Sequence, residues 1–234
     1  MDRIGILGGT FNPPHLGHLA LARRAREALG LDRVFLMPSR EPPHKHEVAD
    51  PGAQHRLAMC RLLTEQEPAV SACALETERA GKSYTVDTLR ELHARHPAAQ
   101  LTFIAGADAA RTLPSWREPE ALLALAEWAI AARPGAGAEE ALRAVDAARS
   151  GPQVGPGRAP EGTVAAATEG TGVRLLEMEP LEVSSSAVRE RAARGEPIEG
   201  LVGQAVAAYI AEHALYGASA GPDAHEDAGG GAGG

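Results

Sequence analysis

The 234-residue chain is long enough for one sizeable α/β domain, and a domain of this size buries about 70% of its unfolded surface without needing a staple. Its two cysteines, Cys60 and Cys73, form neither a C-x-x-C pair nor part of a His-rich cluster, so no disulfide or metal framework is supported and both are expected to be buried thiols. A net charge of −8 and a pI near 5.6 argue against an extended nucleic-acid surface but leave room for a local basic pocket and a small anionic substrate.

No basic-then-apolar leader opens the chain and no apolar run approaches the roughly 18 residues of a membrane span, so a cytoplasmic protein is expected. Arg3 to Leu7 is apolar and leads into Gly8 and Gly9, and from Leu16 to Leu29 apolar residues recur at helical spacing until Gly30. This predicts a strand, a loop and a helix. Val34 to Met37 predicts a second strand, followed by a polar loop from Ser39 to Ala49. Asp50 before Pro51 predicts a capped helix running to about Glu67, and Val70 to Leu75 a third strand.

After Gly81, Val86, Leu89 and Leu92 recur every three residues, predicting a helix over Tyr84 to His96. Leu101 to Ala105 reads as a buried strand, with Asp108 at the expected start of the next helix; Glu120 to Ala126 reads as helix and Trp128 to Ala132 as strand. The alternation predicts an α/β fold, a Rossmann-like open parallel sheet with helices on both faces. A Gly/Pro-rich excursion spans 134–172, with one candidate helix at Ala138 to Arg149. Val173 to Met178 predicts the last strand, Ser184 to Ala193 and Val202 to His213 the last helices, and 217–234 a disordered tail outside a single domain of 1–216.

The segment Gly8-Gly9-Thr10-Phe11-Asn12-Pro13-Pro14-His15-Leu16-Gly17-His18 lies between first strand and first helix, where open α/β sheets place ligands. Paired glycines let the backbone approach a phosphate, and the following helix start offers free N–H groups. A Gly-Gly turn alone more often reflects tight chain packing. His15 and His18 shift that balance, because His-x-x-His at a loop–helix junction puts two imidazoles beside one anion site, with Gly17 clearing space between them. Zinc is the competing use of the pair, but two histidines leave a zinc site incomplete and the loop offers no carboxylate or thiol to complete it.

This segment resembles the G-G-T-F-[DN]-P-x-H-x-G-H signature of the bacterial nicotinate-nucleotide adenylyltransferases, within the H-x-G-H nucleotidylyltransferase superfamily. The resemblance implies ATP contacts for Gly8, Gly9, Thr10, Phe11, His15 and His18, a mononucleotide contact for Asn12, and transition-state stabilisation by the two histidines. Further along, Pro42-Pro43-His44-Lys45 is similar to the family's P-P-H-K loop, which implies a mononucleotide contact for Lys45; without the other matches a solvated charged loop is the plainer reading. Ser83-Tyr84-Thr85-Val86-Asp87-Thr88-Leu89 resembles S-Y-T-x-D-T-L, implying that Tyr84 and Thr85 surround the nicotinate ring, although a run of helix-capping residues accounts for it equally.

Gly106-Ala107-Asp108 followed by Trp116 resembles G-x-D…W, which implies adenosine contacts for Gly106 and Asp108 and a stacking role for Trp116; a tryptophan serves as often as core. Val183-Ser184-Ser185-Ser186-Ala187-Val188-Arg189 resembles I-S-S-T-x-[IV]-R, implying that Ser185, Ser186 and Arg189 bind phosphates near a helix start; otherwise Ser184 is a cap and Arg189 a surface charge. The implied partners are ATP and nicotinate mononucleotide, the implied cofactor is Mg2+ carried with ATP and not held by a dedicated protein cage, and the implied catalytic set is His15, His18 and Arg189.

A dinucleotide-binding oxidoreductase is excluded at the fingerprint, because Gly5, Gly8 and Gly9 do not form G-x-G-x-x-G and the second strand ends in Met37-Pro38-Ser39 where a ribose-binding acid would stand. A non-catalytic nucleotide sensor stays open, as does a phosphopantetheine, glycerol-phosphate or nicotinamide mononucleotide acceptor. Self-association stays open as well.

Overall fold

The structure is a computed structural model that describes residues 2–42, 49–132, 137–150, 172–178 and 182–217. In chain order its strands are β1 (Arg3–Gly9), β2 (Arg33–Pro38), β3 (Val70–Ala72), β4 (Gln100–Gly106), β5 (Glu127–Ala132) and β6 (Val173–Glu177). Between and after them lie α1 (Leu16–Leu29), α2 (Ala53–Thr64), α3 (Leu75–Glu78), α4 (Thr85–Arg95), α5 (Ala107–Arg111), α6 (Pro119–Leu125), α7 (Ala138–Ser150), α8 (Ser185–Ala193), α9 (Glu199–Val202) and α10 (Gln204–Glu212). Leu113–Ser115 and Leu215–Gly217 form single 3-10 turns.

Ile4, Gly5, Ile6 and Leu7 are buried without alternation, the pattern of a strand covered on both faces. Accordingly β1 lies inside a sheet of order β3-β2-β1-β4-β5-β6 in which every pairing is parallel. Helix α1 turns Leu19, Ala22, Ala25 and Leu29 inward at helical spacing and stops at Gly30, whose φ of 62° is the left-handed conformation glycine adopts without steric cost.

Each face of the sheet carries its own core. Leu7, Val34, Leu36 and Ile104 meet α1, α2, α8 and α10 on one side; Ile4, Ile6, Phe103, Trp128 and Ile130 meet α4, α6 and α7 on the other. The expected Rossmann-like arrangement is therefore present. The chain runs β1-β2-β3 to one edge and returns beside β1 as β4, so the strand order reverses between β1 and β4. Parallel pairing brings Gly8 and Gly9 of β1 level with Met37 and Pro38 of β2, and the C-terminal ends of β1, β2 and β4 share one edge.

Four expected boundaries are corrected. The second helix begins at Ala53, not Asp50, because the Asp50 carboxylate accepts the Gly52 N–H and the Arg56 Nε–H, both at 2.9 Å, and so caps no helix at Pro51; the helix also ends at Thr64. The third strand ends at Ala72, three residues before Leu75, since Leu75 rotates into the core as the start of α3. The last helix is two, α9 and α10, divided at Gly203 with φ 84°. Cys60 is buried, its thiol pushed up by desolvation, whereas Cys73 is only half-buried; both are free. The candidate helix at Ala138 is α7, and most of the Gly/Pro-rich excursion and the tail beyond Gly217 lie outside the described residues.

Ile104 is fully buried on the strand between β1 and β5, so Ile104→Ala is expected to lower unfolding free energy by about 2–5 kcal/mol in urea titrations. A loss well under 1 kcal/mol would show that this face of β4 is not the packed interior described here.

Candidate active site

The loop after β1 is packed from inside. A Cβ at Gly8 would stand 3.0 Å from the Phe103 ring, and one at Gly9 would stand 3.3 Å from the Phe11 ring, so a side chain at either position would press on a buried aromatic ring. Phe11 takes the left-handed φ of 54°, a strained choice for a bulky residue, and burial to 2% exposure holds it there. The Asn12–Pro13 peptide is cis.

His15 immediately precedes α1 and His18 lies in its first turn, which stacks their rings with centroids 3.7 Å apart. A Cβ at Gly17 would approach the His15 ring and Val183 to 3.0 Å, so this glycine does clear the space the pair needs. The His15 backbone N–H donates to His18 Nδ1 at 3.2 Å; a neutral His18 therefore carries its proton on Nε2. His15 Nδ1 is buried with no hydrogen-bond partner among the described residues. Burial pushes the His15 pKa down to about 4, and burial together with the adjacent His15 holds His18 well below its ordinary 6.5. Both rings are neutral in the free protein at pH 7.

The Ser/Arg segment docks onto the same loop. Ser184 caps α8 by accepting the Ala187 N–H at 3.2 Å, as the plainer reading of that residue holds. Its neighbours do more. Ser185 Oγ donates to the Pro13 carbonyl at 2.8 Å, and Arg189 donates through Nη1 to the Asn12 carbonyl at 2.6 Å and through Nη2 to Ser186 Oγ at 3.2 Å. The loop after β1 and the Ser/Arg segment are thus one structure. Asn12 is only 2% exposed and its Oδ1 accepts from the Tyr216 hydroxyl at 2.7 Å, which places it behind the loop.

Beside the loop opens a cavity of about 610 Å³. Gly8, Gly9 and Thr10 line it from the end of β1 and the residue after it, Gly106 from the end of β4, Asp108 from α5, Tyr84 and Thr85 from the start of α4, and Trp116 from the turn after α5. Trp116 lines the cavity and also packs: its Nε1–H donates to Thr112 Oγ1 at 2.9 Å and its ring meets Phe103 and Trp128 edge-on at 6.0 Å. Tyr84 occupies the cap position of α4 with no side-chain cap bond, so the Thr85 end of that helix opens toward the cavity. Phe11, Asn12, His15, His18, Ser185, Ser186 and Arg189 do not line the cavity; they form and brace the loop at its margin. Lys45 falls in 43–48, outside the described residues.

Several cavity-lining residues were given no site role by the sequence reading, among them Arg117, Glu76 and Ser83, the last quoted only as the start of a motif. Arg117 is the one Lys or Arg among the described lining residues; it lies 4.8 Å over the Tyr84 ring and pairs with Asp87 at 3.5 Å and Glu118 at 3.7 Å. Glu76, 7% exposed, accepts from Thr88 Oγ1 at 2.6 Å, and desolvation raises its pKa against those bonds. Ser83 donates its N–H to the Glu41 carbonyl at 2.9 Å. Ser83 and Arg117 adjoin recognised motif residues, while Glu76 carried no signal. Among the described residues no three His, Cys, Asp or Glu side chains gather to hold a metal ion.

Comparison with known proteins joins this geometry to a family. The cytidylyltransferase-like family model matches residues 6–191. A Symbiobacterium thermophilum protein named "Probable nicotinate-nucleotide adenylyltransferase" is 41% identical over 92% of this chain and 96% of its own length, and one of the same name from Geobacter sulfurreducens is 38% identical over 92% and 98%. The chain belongs to the nicotinate-nucleotide adenylyltransferase family. Its fold resembles the Plasmodium falciparum nicotinic acid mononucleotide adenylyltransferase complexed with NaAD, at TM-score 0.68 and 19% identity over 92% of this chain and 98% of that one.

The neutral histidines set a pH window. Their folded pKa values lie below the ordinary 6.5, so below pH 6.5 the unfolded chain binds protons that the folded chain refuses, and stability falls as pH drops from about 6.5 toward 4. Urea midpoints measured at pH 7.5 and 5.0 should therefore fall with pH, and fall less in His15→Gln. An identical pH slope in that variant would mean His15 does not titrate as its burial requires.

Proposed function

We propose that the protein transfers the adenylyl group of ATP to nicotinate mononucleotide, forming nicotinate adenine dinucleotide and pyrophosphate on the way to NAD. The observation that carries this reading is one cavity that runs from Gly8, Gly9 and Thr10 to the Tyr84–Thr85 helix start and the Trp116 ring, with the stacked histidines on the loop at its margin. Family membership supports the same reaction.

In this reading a phosphate oxygen of the mononucleotide bonds to the α-phosphorus of ATP as the bond from that phosphorus to the α–β bridging oxygen breaks, and pyrophosphate leaves opposite. No covalent enzyme intermediate is required. The protein's task is to align two anions and to stabilise the charge growing on the α-phosphate and leaving group. Neutral His15 and His18 meet the phosphates as N–H donors and take up protons as the anion's field raises their pKa, while Arg189 and Ser186 supply further donors beside them. Mg2+ carried with ATP would offset the phosphate charge, a role that asks no dedicated carboxylate cage of the protein. Trp116 stacks on the nicotinate ring, and Arg117 with the Thr85 helix end favours its carboxylate. The reaction fits a cytoplasmic enzyme, where ATP is supplied.

Pyrophosphate release from ATP and Mg2+ should be fast with nicotinate mononucleotide and slow with nicotinamide mononucleotide or phosphopantetheine. Preference for another acceptor would keep the loop chemistry and discard the roles of Thr85 and Trp116; silence with all three favours the nucleotide sensor. His18→Ala should lower turnover about a hundredfold or more, the scale for loss of one transition-state donor. Trp116→Ala should raise KM for the mononucleotide more than KM for ATP, and the reverse order would remove the indole from the acceptor site.

A further inference from the structure

A fully buried guanidinium stands behind the cavity. Arg56 of α2 has no exposed side-chain surface, yet it lies in line with Met59, Cys60 and Leu63 on the inward face of its helix. A cation there is tolerable only when its polar groups are paired. Each of its three nitrogens donates to an oxygen. Nη1 donates to the carbonyls of Thr10 and Ser39, both at 2.7 Å, Nη2 to the carbonyl of Arg40 at 3.0 Å, and Nε to Asp50 Oδ1 at 2.9 Å.

Three of these acceptors belong to two neighbouring walls that leave the paired strands β1 and β2 and are also tied by the Ser39 N–H to the Gly9 carbonyl at 3.0 Å; the fourth, Asp50, precedes α2. Thr10 is the phosphate loop. Ser39 and Arg40 follow β2, and the Arg40 N–H donates to Ser83 Oγ at 2.9 Å while the Ser83 N–H returns to the Glu41 carbonyl at 2.9 Å, so this strip carries the segment that leads to Tyr84 and Thr85. Because a trans peptide is planar, pinning a carbonyl also fixes the opposed N–H of the next residue, which is Phe11 on one wall and Arg40 on the other. The planar fork holds both walls at one separation, which a lysine ammonium on a flexible stem cannot reproduce.

We propose that Arg56 is a positioning residue that sets the distance between the ATP-side loop and the acceptor-side wall. The inference rests on the adenylyl-transfer reading. Each wall keeps its own substrate contacts when Arg56 is altered, so binding should survive while alignment is lost, and a misplacement of about 1 Å costs on the order of a hundredfold in rate.

The test is steady-state kinetics of Arg56→Lys and Arg56→Ala, with the folded fraction fixed by circular dichroism. Leu63→Ala, a truncation on the same helix face, serves as a stability control. Folded Arg56→Lys should lose about tenfold to a hundredfold in kcat with KM for both substrates little changed. Millimolar guanidinium chloride, but not ammonium chloride, should restore turnover to Arg56→Ala. Wild-type kcat in folded Arg56→Lys, or an equal loss in Leu63→Ala at equal folded fraction, would overturn the proposal. Should Arg56→Ala not fold, the comparison of Arg56→Lys with Leu63→Ala decides alone. Wild type assayed alongside keeps the two questions apart: a silent wild type discards the reaction, and an active one beside an unaffected Arg56→Lys discards only the role of Arg56.

Discussion

The parallel pairing of β1 with β2 on one side and β4 on the other is the constraint from which the site follows. Because the chain returns to β1 from the opposite edge, the segments leaving β1 and β4 diverge to opposite faces and leave a crevice above their ends. A strand end in the middle of a sheet is also the most rigid place to hang a loop. Gly8 and Gly9 remain in register with Met37 and Pro38 up to the last residue of β1, so the loop after β1 starts from a fixed point. Gly106 ends β4 in register with Ala131, and α5, which carries Asp108, starts directly from it.

On that frame the loop is held largely through its carbonyls. Arg56, Ser185 and Arg189 donate to the carbonyls of Thr10, Pro13 and Asn12 in turn. A carbonyl held by such a donor turns its negative end away from the opposite side of the loop, so a chain of net charge −8 can keep that side from being strongly negative without many cations. Burial keeps His15 and His18 neutral, so no positive charge is desolvated there in the free protein.

Most strands and helices were legible because buried parallel strands read as short apolar runs and helices as three-to-four-residue repeats. The site motifs were legible where chemistry required a residue at a set spacing, as with His15, Gly17 and His18. What escaped was set by partners distant in sequence. Asp50 looks like a helix cap until Arg56 claims its carboxylate, and Gly203 divides a helix that apolar spacing alone continues. Glu76 reaches the cavity only because β3 ends early and α3 turns it inward. Arg56 did leave a trace, a charge on the apolar face of its helix, but its acceptors are carbonyls, which a sequence does not mark.

Completion of the site is a late event in the topology. The bonds that brace Asn12 and Pro13 come from Ser185, Arg189 and Tyr216, between 172 and 204 residues away in sequence. Such contacts are entropically costly to form and follow the local pairings, since closure of the intervening chain must be met before they contribute. The loop can emerge from β1 as soon as β1, β2 and β4 pair, but the cis Asn12–Pro13 corner and the stacked histidines gain their back support only when α8 and the Leu215–Gly217 turn dock. The bracing of the loop after β1 therefore depends on contacts from the C-terminal helices, not on the pairing of the sheet alone.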